Sequence, residues 1–116
     1  MPTPDRPLRF GLVGTGYWAR ITHAPALAST EGVEFAAVWG RNPEAAAALA
    51  AEHGAAAYGQ LDALFANVDA VAFSVPPDVQ SAIGARAARA GKHLLLEKPI
   101  ATSEADADEL VRAVQD

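Results

Sequence analysis

The sequence predicts a doubly wound α/β domain whose parallel sheet runs in the strand order 3-2-1-4-5. Three observations predict it. Short apolar runs alternate with segments of helical spacing along the chain, the pattern of βαβ units with right-handed crossovers. The first run, Leu8 to Val13, opens directly into the glycine turn Gly14-Thr15-Gly16-Tyr17-Trp18-Ala19. A later run, Leu94-Leu95-Leu96, opens directly into Glu97-Lys98-Pro99. In an open parallel sheet both would sit at the carboxyl edge of the strands, where ligands bind.

The elements follow in order. Residues 1–7 hold three prolines and read as a flexible lead-in, leaving 8–116 as one domain. Leu8 to Val13 is near-continuously apolar, as in a strand covered on both faces. The first helix spans about Tyr17 to Ser29, and Pro25 inside it predicts a kink because it lacks the ladder donor. Gly32 leads into strand two, Val33 to Trp39. Asn42 caps the second helix, Pro43 suits its first position, Glu44 faces the positive end of the dipole, and Gly54 stops it. A short third strand, about Ala55 to Tyr58, precedes a small helix bearing Leu61, Leu64 and Phe65. Strand four is expected from Ala70 to Val75, ended by Pro76-Pro77. Asp78 is expected to cap the fourth helix, which runs to about Ala90. Strand five is His93 to Leu96. Ser103 with Asp106 resembles a capping box, and the last helix places Leu110, Val111 and Val114 on one side.

Bulk properties narrow the function. The chain has 116 residues, 51% hydrophobic and 20% charged, which suits one globular domain with a core. A net charge of −5 argues against nucleic acid, whose phosphates call for clustered Lys and Arg. The absence of cysteine removes disulfides, thiolate metal sites and cysteine nucleophiles, and is compatible with a reducing, cytoplasmic setting. No apolar run approaches the ~20 residues of a membrane helix. His23, His53 and His93 are not at ligand spacing, so no metal site is expected. His53 suits the end of the second helix, and His93 is expected to pack at the start of strand five.

The glycine turn has the context that gives such a motif meaning, a strand before it and a helix after. Gly14 allows the tight turn, and Gly16 lets a pyrophosphate approach bare backbone. Ala19 is small enough for helix-to-strand packing. Amides near Gly16, Tyr17 and Trp18 would face the phosphates, with Thr15 inside the same turn. FAD and other nucleotides share part of this signal, and a ligand-free βα turn is the bland alternative. An NAD site usually carries an acid about 20 residues beyond the glycines. Here strand two ends in Trp39-Gly40-Arg41-Asn42. Gly40 leaves room and Arg41 can pair with a 2′-phosphate, so NADP is favoured over NAD. The alternative is a solvated Arg41 or one stacked on the adenine. Trp18 and Trp39 suit packing or an adenine wall.

Ser74, Val75 and Pro76 form the strand-four tip beside the expected pyrophosphate and nicotinamide ribose, either as apolar contacts or as a plain strand stop. Glu97-Lys98 puts a charged pair straight after three leucines, which is costly near a core without a purpose. Lys98 can donate a proton or hold a substrate hydroxyl. Glu97 can orient Lys98 or bind ribose. A surface ion pair at a strand end is the alternative.

These residues carry a resemblance. From Arg9 to about Val114, the chain resembles the N-terminal cofactor domain, a Rossmann fold, of the Gfo/Idh/MocA oxidoreductases. The similar stretches are Phe10-Gly11-Leu12-Val13-Gly14-Thr15-Gly16, Val75-Pro76-Pro77 and Ala90-Gly91-Lys92-His93-Leu94-Leu95-Leu96-Glu97-Lys98-Pro99. The resemblance implies a soluble, often oligomeric, NAD(P)-dependent enzyme that exchanges a hydride with a sugar, polyol or related hydroxy or carbonyl compound. It also implies that Lys98 is a catalytic and substrate-binding residue. Two departures stand out. Gln80 occupies a position where family members often have histidine. The family's second α/β domain, which carries other catalytic residues, is absent, so truncation before that domain is expected and the fragment alone should be inactive. A non-catalytic dinucleotide-sensing or regulatory module is the alternative function. A different Rossmann protein such as a methyltransferase is a third, against which Glu97-Lys98-Pro99 argues.

Overall fold

The computed structural model describes residues 6–116. The part of the expected lead-in at positions 1–5 lies outside the described residues. Five parallel strands form one sheet in the order β3-β2-β1-β4-β5. They are β1 Leu8–Val13, β2 Val33–Trp39, β3 Ala56–Ala57, β4 Ala70–Phe73 and β5 His93–Leu95. The helices are α1 Ala24–Ser29, α2 Pro43–His53, α3 Leu61–Ala66, α4 Pro77–Arg89 and α5 Glu104–Gln115. The reversal of strand order between β1 and β4 opens a crevice at their carboxyl ends, the usual ligand position in this topology.

Each face of the sheet has its own core. Leu12, Leu27, Phe35, Val38, Leu49 and Ala72 pack with the side of α1 and α2. Val13, Leu64, Phe65, Val71, Phe73 and Ile83 pack with the side of α3 and α4. Gly11 makes the second packing possible, since a Cβ there would lie 2.8 Å from Leu64 Cδ2. β4 is buried throughout, which explains its unbroken apolar sequence.

Several ends differ from the sequence expectation for local reasons. A π-helical turn, Ala19–His23, runs directly into α1 and carries the irregularity expected from Pro25. The Ala24 N–H reaches back to Ala19 O, so the chain enters Pro25 on an i→i+5 bond. β4 stops at Phe73 rather than Val75: Ser74 N–H closes the ladder on Val13 O, and the chain then turns into Pro76-Pro77. β5 likewise ends at Leu95, one residue early. Asp78 does not cap α4. The flanking residue is Pro76, without a side-chain cap, and Asp78 lies inside the first turn. In α5 the buried side chains are Leu110 and Ala113, whereas Val111 and Val114 are exposed. Three residues bring a helix back to nearly the same face, and Val111 is rotated by about 100° from Leu110. His93 starts β5 as expected, but it is exposed rather than packed.

Other boundary signals match. Asn42 Oδ1 accepts the N–H groups of Glu44 and Ala45, and Gly54 ends α2 at φ 70°. Ser103 Oγ accepts the Asp106 N–H at the start of α5.

Candidate functional site at the carboxyl edge of the sheet

The glycine turn is built by two contacts that leave no space for a side chain. Gly14 N–H donates to Trp39 O at 2.9 Å, tying the turn to the end of β2. Gly14 has φ +127°, and a Cβ there would stand 2.2 Å from Ser74 O. The turn is therefore pressed between the tips of β2 and β4. At Gly40 a Cβ would lie 2.6 Å from Thr15 Cγ2, so the β2 tip lies close against the same turn. Gly16 is different. A Cβ there meets nothing within 4 Å, so bare backbone borders open space. The helix opens immediately, with Arg20 N–H bonded to Gly16 O at 3.0 Å. The N–H groups of Gly16, Tyr17 and Trp18 are left without an intrahelical partner.

Two adjoining depressions run across this edge. One, of about 220 Å³, is lined by Gly14, Thr15, Gly16, Trp39, Gly40, Arg41, Ser74, Val75, Pro76 and Val79. The other, of about 360 Å³, is lined by Gly16, Tyr17, Trp18, Ser74, Val75, Pro76, Glu97 and Lys98. They share Gly16, Ser74, Val75 and Pro76. All twelve residues picked out from the sequence therefore border one continuous cleft. Arg41 stands with Trp39 at one end, exposed and without a side-chain hydrogen bond or ion pair among the described residues. Lys98 stands with Trp18 at the other.

Glu97 is the best-anchored side chain at the Lys98 end. Its Oε2 accepts the Trp18 indole N–H at 2.7 Å and meets His23 Nε2 at 3.0 Å. These bonds, His23 first and Trp18 second, hold the carboxyl below its ordinary range. Oε1 has no protein partner among the described residues. The π turn contributes to this arrangement: its wider winding brings positions 18 and 23 toward one side, where an α-helix of 3.6 residues per turn would splay them. The Glu97 main chain is held by Gln80, which is only 1% exposed. Gln80 Oε1 accepts the Glu97 N–H, and Gln80 Nε2 donates to Glu97 O, both at 2.8 Å.

Sequence reasoning singled out neither His23 nor Gln80 as part of this site. Gln80 had a legible signal: it falls on the same buried stripe of α4 as Ile83, Gly84 and Ala87, an amide at a core-facing position. His23 had none, because its partner lies 74 residues away.

A further depression of about 220 Å³ lies at the opposite, amino edge, lined among others by Arg6, Asp69 and Lys92. Its cations are engaged already. Arg6 makes two bonds to Asp69 at 2.8 and 3.0 Å, and Lys92 Nζ donates to Val68 O at 2.9 Å. It is a clamp on the start of the sheet, remote from the glycine turn.

The carboxyl-edge cleft fits a dinucleotide: the tight turn at Gly14, the open space at Gly16, the amides without an intrahelical partner and the cation at Arg41 all line one groove. Comparison with known proteins agrees. The family model described as the oxidoreductase family, NAD-binding Rossmann fold, matches residues 8–116, and the chain belongs to that Gfo/Idh/MocA family as its N-terminal NAD(P)-binding domain. The chain is 37% identical over 109 residues to a UDP-N-acetylglucosamine 3-dehydrogenase of Acidithiobacillus ferrooxidans, covering 94% of this chain and 34% of that protein. An inositol 2-dehydrogenase of Rhizobium meliloti is 37% identical over 95 residues, covering 80% of this chain and 28% of that protein. A 3-ketoreductase from Actinomadura kijaniata, solved in complex with NADP and TDP-benzene, superposes with a TM-score of 0.87 at 30% identity, covering 95% of this chain and 34% of that one. The chain thus spans about a third of the length of the relatives it matches. None of the helices described is long and apolar enough to cross a membrane.

Proposed function

We propose that this domain holds NADP(H) in preference to NAD(H) for an enzyme that interconverts an alcohol and a carbonyl on a sugar, polyol or related compound. The observation that carries the proposal is the single cleft joining the glycine turn to Lys98. The nicotinamide, when bound, supplies or accepts a hydride; the protein positions it and manages charge and protons.

The backbone around Gly16, Tyr17 and Trp18 binds the diphosphate through its N–H groups and the positive end of the helix. Arg41 carries five donors in a planar fork suited to a 2′-phosphate, and Gly40 keeps the β2 tip clear for the ribose. Ser74, Val75 and Pro76 form the floor, where apolar contact excludes water. Glu97 Oε1 is available to a ribose hydroxyl, while Trp18 and His23 fix the other oxygen. The Lys98 ammonium holds the substrate oxygen and gives or takes its proton at Nζ. The names of the relatives point to sugar and polyol substrates, and the enzyme that this reading describes is cytoplasmic and homo-oligomeric.

Two measurements test it. Calorimetric titration should show NADPH binding more tightly than NADH; equal or reversed affinity removes the assigned role of Arg41. In the enzyme carrying this domain, with UDP-N-acetylglucosamine and inositol as trial substrates, Lys98→Ala should lower kcat by roughly 10²-fold or more while cofactor affinity survives. Undiminished turnover ends the assignment of Lys98.

A further inference from the structure

We propose that Gln80 is a positioning residue for Lys98: its amide fixes the main chain from Glu97 to Ile100 and so sets where the Lys98 ammonium stands. This rests on the reading of Lys98 as the group that handles the substrate oxygen.

The need for such a residue arises from the sheet itself. β5 pairs with β4 only through Leu95, opposite Ala72. Beyond that point β4 gives way to Ser74, Val75 and two prolines, and the chain turns into α4. By the register of the two strands Glu97 falls opposite Ser74, where β4 has already ended, so the Glu97 N–H and C=O have no neighbouring strand. Gln80, in the first turns of α4, takes its place. One side chain supplies an acceptor to Glu97 N–H and a donor to Glu97 O at 2.8 Å each, with longer contacts from Nε2 to Pro99 O and Ile100 O at 3.4 Å. The amide thus stands in for a strand partner on both polar groups of one residue, and it spans Lys98 from either side.

Lys98 depends on this hold because it has little of its own. It is exposed, and its ammonium has no hydrogen bond or ion pair among the described residues. Lys92, by contrast, is fixed by Val68 O. Its side chain cannot define the position of Lys98, so the main chain must. An amide is suited to the task since it is donor and acceptor at once, whereas a carboxylate offers acceptors only. A buried polar group that loses its partner is costly, so Gln80 and the segment hold each other in one arrangement.

Nuclear magnetic resonance can test this, because Lys92 and Lys98 are the chain's two lysines and Trp18 and Trp39 its two tryptophans. Carbon-13 methylation marks both lysines and the N-terminal amine, and nitrogen-15 marks both indoles; NADPH is the probe. In the unaltered chain NADPH should move the Lys98 signal and leave Lys92 in place. Gln80→Met removes both polar atoms at nearly constant volume. It should abolish the Lys98 response and displace the Trp18 indole signal, which reports on Glu97, with the Trp39 indole and far-ultraviolet circular dichroism unchanged. Gln80→Glu restores a donor only when the introduced carboxyl is protonated, and burial raises the pH at which that happens. Its Lys98 response should be present below that titration and lost above it. His23, Glu97 and Lys98 stand close by in every variant, so each curve is read against that of the unaltered chain. Wild-type responses in both variants overturn the proposal, as does global unfolding of both, which would make Gln80 a support of the whole fold. If NADPH leaves Lys98 unmoved in the unaltered chain while Gln80→Met still displaces the Trp18 indole, the reading of Lys98 fails and the hold of Gln80 on the segment stands.

Discussion

Trp18 and Glu97, 79 positions apart, meet through a 2.7 Å hydrogen bond from indole to carboxylate. That contact joins the helix behind the glycine turn to the segment that carries Lys98. The bond links the two motifs directly, and its contribution is measurable.

Trp18→Phe keeps most of the ring and deletes the donor. The expected loss of stability is roughly 0.5–1.5 kcal/mol, the range for one hydrogen bond. The Glu97 carboxyl should also titrate at higher pH, since one of the two bonds that lower it is gone. Urea unfolding and a carboxyl-resolved titration check both; an unchanged Glu97 titration would show the bond to be inconsequential.

Alanine at two neighbouring glycines should give opposite phenotypes. Gly14→Ala drives a methyl to 2.2 Å from Ser74 O and imposes φ +127° on an L-residue, so a destabilisation above about 3 kcal/mol is expected. Gly16→Ala meets nothing within 4 Å; the fold should survive while the methyl occupies space needed by the cofactor, lowering NADPH affinity by roughly tenfold or more. Thermal melts and cofactor titrations separate the two cases.

Arg41→Ala should weaken NADPH by roughly tenfold, the scale of one charge-assisted contact, and leave NADH nearly unchanged. The gap between the two cofactors should also shrink as salt is added in the unaltered protein. Equal losses for both cofactors would assign Arg41 to the adenine instead of the 2′-phosphate.

Acid should loosen the amino edge of the sheet. Arg6, and then the Arg9 N–H, hold the Asp69 carboxyl well below the usual carboxylate range. A group lowered in the folded state binds fewer protons there than in the unfolded chain, so its stabilisation is intact above the unfolded value of about 4 and fades as pH falls below it. Asp69→Asn should cost roughly 1 kcal/mol near pH 7, and the difference from the unaltered chain should narrow below about pH 4. Denaturant midpoints across pH 2–7 test the sign and the window.

The fold was legible because its signals are local. Val33–Trp39, the Asn42 cap and the Ser103 cap each declare themselves within a few residues. So was the lining of the cleft, since sheet topology alone brings strand tips to one edge. What escaped depends on partners distant in sequence. Gln80 grips a residue 17 positions on, and His23 meets one 74 positions away. The strand ends shifted for a similar reason: β4 stops where its neighbour β1 stops, which the Ala70 to Val75 run does not encode. The side chain expected to cap α4, Asp78, lies inside the first turn instead, because Pro76 takes the flanking position and the helix already begins at Pro77.

Because Ser74, Val75 and Pro76 border both halves of the groove while Arg41 and Lys98 occupy its far ends, the two groups proposed for coenzyme choice and for proton handling are separate side chains over a common floor. Under the proposed roles, coenzyme choice could be rewritten at β2 without disturbing proton handling beyond β5. Any alteration of the floor itself would register at both.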